Sequence, residues 1–178
     1  FTDEDYNEFG SKIKWNPAIK SENDRDALWQ ALKEDKIDII ASDHAPHTIE
    51  EKNNKYLSCP SGGPMIQHTI LSLLQKCKKY GVSYEKIVEK IAHNPAIIFK
   101  VNNRGFIREG YYADIVLIDT NTPTHVTKDS LLYKSGWSPF EGQIFDNSIY
   151  KTILNGNVVY EDGKVNSIPY GKKITFNR

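Results

Sequence analysis

Apolar positions along this chain fall into two regimes. Over the first hundred residues they recur at helical spacing, interrupted by short extended stretches. Ser21 and Asp24 offer a helix start, and Ala27, Leu28, Ala31 and Leu32 follow as one apolar face. Ile66, Ile70, Leu73, Leu74 and Cys77 form a second stripe, opened by Pro64 and ended at Gly81. A third helix is predicted from Ser83, with Ile87, Val88 and Ile91 inward. Asn94-Pro95 is expected to break it and restart a turn, Asn94 as cap and Pro95 at the first helical position. Between the helices, Lys12 to Trp15 is an extended candidate stopped by Asn16-Pro17, because the residue before a proline is pushed out of the helical region. Ile37 to Ser42 reads as a parallel strand, apolar on both faces. A polar, turn-rich loop runs from Asp43 to Gly63.

From Gly105 onward the pattern is one of strands and turns. Residues 105–107, 113–119 and 124–127 read as strands, followed by a long returning loop at about 128–148. Ile149 to Leu154 and Val158 to Glu161 flank Asn155-Gly156, a two-residue hairpin signal, and Asp162-Gly163 is a further turn. The division is α/β over 1–100 and β-rich over 101–178.

Composition narrows the class. The 178 residues are 39% hydrophobic and 26% charged, a globular balance able to bury a core. Basic and acidic side chains number 23 each, so no net field steers the chain to nucleic acid or an anionic membrane. No apolar run approaches the ~20 residues of a membrane helix. Two cysteines, Cys59 and Cys77, are too few for a disulfide framework and favour a reducing compartment such as the cytoplasm. The opening Phe1-Thr2-Asp3-Glu4-Asp5, with neither Met nor a signal-peptide pattern, reads as the middle of a longer protein.

The densest chemistry is Ser42-Asp43-His44-Ala45-Pro46-His47, just past the end of the apolar strand. In α/β architectures catalytic groups collect at that edge. Asp43 could ligate a metal and take a proton from a metal-bound water; equally, it could cap a turn with the histidines decorating a surface loop. Asn16 could hydrogen-bond a substrate imide, or be a simple turn starter. Ser61-Gly62-Gly63-Pro64 could present backbone N–H groups to a ligand at a helix start, or be an ordinary helix approach. His68 falls off its helix's apolar stripe and is expected in solvent; His93 is expected to cap or pack, and His125 lies in the β-region without an acidic neighbour.

Four stretches give the chain a resemblance. They are residues 14–20 (KWNPAIK), 37–47 (IDIIASDHAPH), Asn94-Pro95-Ala96 with 105–116 (GFIREGYYADIV), and 135–142 (SGWSPFEG). In order and spacing they resemble the C-terminal portion of dihydroorotases, in the cyclic amidohydrolase group of the amidohydrolase superfamily. The resemblance implies the last two strands and helices of a metal-dependent (β/α)₈ barrel, with Lys12–Trp15 and Ile37–Ser42 as strands seven and eight. It also implies the C-terminal half of a small β-sandwich domain. It makes Asp43 a zinc ligand that shuttles a proton to the departing ring nitrogen. Asn16 and His47 become substrate-binding residues, His47 for the substrate carboxylate, and Gly62 and Gly63 lie near the loop whose backbone contacts the pyrimidine ring.

The implied reaction is reversible cyclisation of N-carbamoyl-L-aspartate to L-dihydroorotate in pyrimidine synthesis, with two zinc ions in the complete enzyme. The remaining ligands are expected upstream of Phe1, so the segment alone is expected to be inactive and its missing N-terminal part to be its partner, with a homodimer open. The alternatives are another cyclic amidohydrolase, of hydantoinase or allantoinase type, and a catalytically dead scaffold subunit.

Overall fold

A computed structural model describes residues 1–177. The N-terminal stretch is a run of short turns: a 3₁₀ turn at Asp3–Asp5, α1 (Tyr6–Phe9) and a second 3₁₀ turn at Gly10–Ile13. No strand forms over Lys12–Trp15; a 3₁₀ turn occupies its start, and the Asn16-Pro17 peptide is cis. Helix α2 (Glu22–Lys33) begins at Ser21, whose hydroxyl accepts from the Asp24 N–H while Asp24 returns a bond to the Ser21 N–H. Its inward face is not the expected one. Leu32 is buried and Trp29 stacks on Tyr80 with ring centroids 4.8 Å apart, while Leu28 is 61% exposed.

After α3 (Ile49–Lys52), helix α4 (Thr69–Tyr80) starts five residues later than Pro64 suggested and closes at Gly81, which takes the left-handed conformation with φ 63°. Leu74 and Cys77 join Leu32, Val82 and Ile87 in one buried cluster. Leu71, on another face of α4, joins Val126, Phe140 and Phe145 in a second. One helix therefore packs the α-rich part against the β-rich part. Ile66 lies outside both clusters, on the surface.

Ser83 caps α5 (Tyr84–Val88), accepting from the Lys86 N–H at 3.2 Å. The helix does not break at Asn94-Pro95. It passes through a π-helical segment, Glu89–His93, into α6 (Asn94–Ile98). Asn94 keeps helical dihedrals, and its side-chain amide donates to the Asp38 carbonyl at 2.8 Å instead of capping.

That bond bears on residues 37–42, which belong to no ladder. Their backbone is held instead by Asn94 and by the Ile40 N–H donating to the Lys90 carbonyl, while Ile37 and Ile40 pack on the first cluster. A strand needs neighbours to complete its hydrogen bonds.

The β-rich part follows the expected order more closely. A four-stranded antiparallel sheet has the order β1 (Ile115–Asp119), β4 (Ser148–Leu154), β5 (Asn157–Glu161), β6 (Lys164–Val165). The Asn155-Gly156 turn joins β4 and β5 with both residues at positive φ, 50° and 83°, as a tight hairpin of this hand requires. Strands β2 (Thr124–His125) and β3 (Ile144–Phe145) form a small second sheet, so the returning loop is not structureless. Residues 105–107 form no strand; Phe106 packs flat on His93 at 4.4 Å, giving His93 a packing role.

Candidate active site

Three segments lie side by side. The Gly62 N–H donates to the Lys14 carbonyl at 2.8 Å, and Gly63 forms a parallel bridge with His44. The glycines are needed by this closeness. A Cβ on Gly62, which sits at φ 109°, would lie 2.7 Å from the Ala45 Cβ, and one on Gly63 would meet the Trp15 ring at 2.9 Å. The Gly62 N–H is thus engaged within the fold, and no helix starts at Pro64 to offer more.

Asp43 follows the unpaired 37–42 segment and sits in a left-handed conformation, φ 45°. Its carboxylate is exposed and, among the described residues, has no hydrogen bond or ion pair. That leaves its oxygens free for one coordination position of a metal. Among the described residues no group of three His, Cys, Asp or Glu is placed to hold a metal, so the set fits a single ligand of a larger centre.

His44 is committed elsewhere: its Nδ1 accepts from the Met65 N–H at 3.0 Å, which places the ring proton of the neutral form on Nε2. The ring also stacks on Tyr133 at 5.6 Å. His47 Nδ1 lies 3.3 Å from Glu51 Oε2, and the Trp137 indole N–H donates to the His47 carbonyl at 2.8 Å. His44 and His47 line one cleft of about 730 Å³, together with Pro46, Ile66, Leu132 and Tyr133. Asp43, Asn16 and the two glycines do not line it. Asn16 is exposed and sits beside Trp15, against which Gly63 packs.

Three residues that sequence reasoning missed hold this site together. Tyr133 accepts the Gln67 N–H at 2.8 Å, and burial pushes its phenol up to about 12. Behind it lies His68, 1% exposed where a solvent position was expected. Its Nδ1 is 3.4 Å from the Tyr133 hydroxyl, and Phe140 and Phe145 enclose the ring. Burial lowers His68 to about 4, so the ring is neutral. The third is Lys52, fully buried, whose ammonium donates to the carbonyls of Gly62 (2.9 Å), Pro60 (3.0 Å) and Lys14 (3.3 Å). Burial lowers its pKa. Within the run Ile49-Glu50-Glu51-Lys52 it carried no signal beyond a solvated helix turn.

The fold matches part of the solved hydantoinase structures. A solved D-hydantoinase superposes on 93% of this chain with TM-score 0.84 at 25% identity, this chain matching 38% of its length. L-hydantoinase (dihydropyrimidinase) of Arthrobacter aurescens does so over 93% with TM-score 0.81 at 26% identity, again over 38% of its own chain. The amidohydrolase family profile matches residues 11–159, and the chain belongs to that family. Among curated proteins, the dihydroorotase of Clostridium acetobutylicum is 36% identical over 162 residues, 90% of this chain and 38% of its own. The dihydroorotase of Pyrococcus abyssi is 35% identical over 173 residues, 97% of this chain and 41% of its own. The chain thus spans about two fifths of the length of these relatives.

Proposed function

We propose that this chain is the C-terminal part of a cytoplasmic dihydroorotase, interconverting L-dihydroorotate and N-carbamoyl-L-aspartate in pyrimidine synthesis. The observation that carries the reading is its similarity to curated dihydroorotases along nine tenths or more of the chain. Residues 1–100 then supply the end of a (β/α)₈ barrel and residues 101–178 a share of a β-domain built from both termini.

In this reading Asp43 holds one position of a zinc centre whose other ligands come from further polypeptide. Zinc, when bound, supplies an activated water and polarises the ring carbonyl. Asp43 moves a proton to the ring nitrogen that leaves. The Asn16 amide orients the imide, and Gly62 and Gly63, having no side chains, let the ring approach the backbone. His47 gives a charge-assisted hydrogen bond to the substrate carboxylate. Its Nδ1 is turned to Glu51, which leaves Nε2 for that role.

The test is turnover by the complete polypeptide. Dihydroorotate should be hydrolysed and carbamoyl aspartate cyclised, while hydantoin, dihydrouracil and allantoin are turned over at least ~10²-fold less well, well inside the ~10⁴–10⁵-fold discrimination that a site hydrogen-bonding a substrate group supplies. A preference for hydantoin or dihydrouracil would assign the hydantoinase class instead. No turnover of any of these by metal-loaded protein would favour a scaffold subunit.

A further inference from the structure

Among the described residues, Lys52 has no carboxylate partner. Its ammonium has three protons and three carbonyl acceptors, those of Lys14, Pro60 and Gly62. Its own carbonyl accepts from the Ser11 hydroxyl at 2.5 Å, and the Trp15 ring lies 5.8 Å from Nζ. A cation so enclosed, fully buried and matched proton for acceptor, is built to hold backbone in place.

The backbone it holds leads to Asp43. In a parallel bridge one residue gives both its N–H and its C=O to the two residues flanking its partner. If His44 were that residue in its bridge with Gly63, its carbonyl would need an N–H from Pro64, which has none. Gly63 is therefore that residue, and the bridge sets its N–H on the side of the Asp43 carbonyl and its C=O on the side of the Ala45 N–H. The C=O of Gly62 and the N–H of Gly63 belong to one peptide unit and point in opposite directions. A continuous line follows, from the Lys52 ammonium through the Gly62–Gly63 peptide to the backbone of Asp43.

We propose that Lys52 is a positioning residue for Asp43, its buried ammonium fixing the Gly62–Gly63 peptide that in turn holds the Asp43 backbone at its left-handed turn. The role assigned to Asp43 rests on the dihydroorotase reading above; the clamp itself does not.

The test compares Lys52→Met, Lys52→Gln and Asp43→Asn in the complete protein. In Lys52→Met, hydrogen exchange at the Gly62 and Gly63 amides should quicken at least ~10-fold, because their anchor is gone. Turnover should fall ~10- to 10²-fold with KM changed less than ~3-fold, the scale of a small misplacement of a reacting group. The acid limb of the kcat–pH profile should move as well, which loss of stability alone would not cause. Lys52→Gln keeps one donor group and should show the same changes to a lesser degree, so it decides the matter if Lys52→Met does not fold. Unchanged amide protection, or kcat per folded molecule within twofold of wild type with an unmoved acid limb, overturns the proposal. Normal turnover in Asp43→Asn would instead overturn the dihydroorotase role of Asp43, and the exchange data would still judge the clamp.

Discussion

Among single residues, Asp43 carries the most specific expectation. Its carboxylate is exposed, at a left-handed turn, and partnered by nothing among the described residues. An ordinary turn cap would be using its oxygens on nearby N–H groups. Asp43→Ala in the complete protein should therefore cost little stability yet lower turnover at least ~10²-fold and weaken metal retention. Near-normal turnover with full metal content would sink the assignment. His47→Ala should act on KM more than on metal content, since its proposed partner is a carboxylate and such a bond is worth about 1.5–3 kcal/mol. Elemental analysis showing a lost metal equivalent would make His47 a ligand instead.

His68 gives a prediction about pH. Buried among Tyr133, Phe140 and Phe145, it has a folded pKa near 4 against an ordinary value of 6.5. Between those values the unfolded chain binds the extra proton, so stability is full above about pH 6.5 and falls as pH drops towards 4, by up to about 3 kcal/mol. Urea midpoints measured across that range should fall with pH in the wild type and flatten in His68→Leu. Equal slopes in both proteins would show that other groups govern the acid limb. None of this was legible in the sequence, because the position of His68 off one apolar stripe is uninformative when the helix start packs against a second cluster. The expectations for Asp43, His47 and the glycine pair came from spacing that resembles a family. Lys52 was not legible, because a lysine's choice between solvent and a cradle of carbonyls is made by loops distant in sequence.

At the scale of elements, caps and turns were read well and paired strands less so. Ser21, Ser83, Gly81 and Asn155-Gly156 act through bonds to residues a few positions away, so local sequence suffices to find them. Residues 12–15 and 37–42 depend on neighbours far along a chain, and neither forms a ladder here. Asn94-Pro95 misled for a different reason. Proline removes one helical hydrogen bond, but the π-helical segment before it widens the turn and lets the axis continue. The cap at Ser83 starts that whole run, and Ile87 behind it is fully buried. Ser83→Ala should lower stability by about 1 kcal/mol, within the ~0.5–2 kcal/mol usual for a lost N-cap, and Ser83→Asp should restore most of it. Thermal midpoints of the three proteins settle the point; no shift in Ser83→Ala would mean that the Ile87 packing alone holds the helix start.

For the molecule as a whole, the question is whether these 178 residues stand alone. Helix α4 joins the two buried clusters, so a core exists. Much apolar surface is nonetheless left uncovered. Leu28, Ile97, Phe99 and Ile107 are each at least 60% exposed, and Val116 and Leu117 of β1 more than 40%. Residues 37–42 also present backbone groups that no strand pairs. Unpaired edges and apolar patches beyond a few hundred Å² drive self-association. A zinc centre would have one ligand here, Asp43, and four-coordinate zinc sites need three or more from protein. We therefore expect the isolated 178 residues to be catalytically silent, to retain no stoichiometric zinc, and to run on size-exclusion chromatography as oligomers or aggregate. Co-expression with the rest of the barrel, matching the three fifths of the relatives that this chain does not span, should yield a defined, metal-loaded complex. A monodisperse 178-residue monomer holding two tightly bound zinc ions would refute this, because its ligands would then have to come from residues that the fold keeps apart.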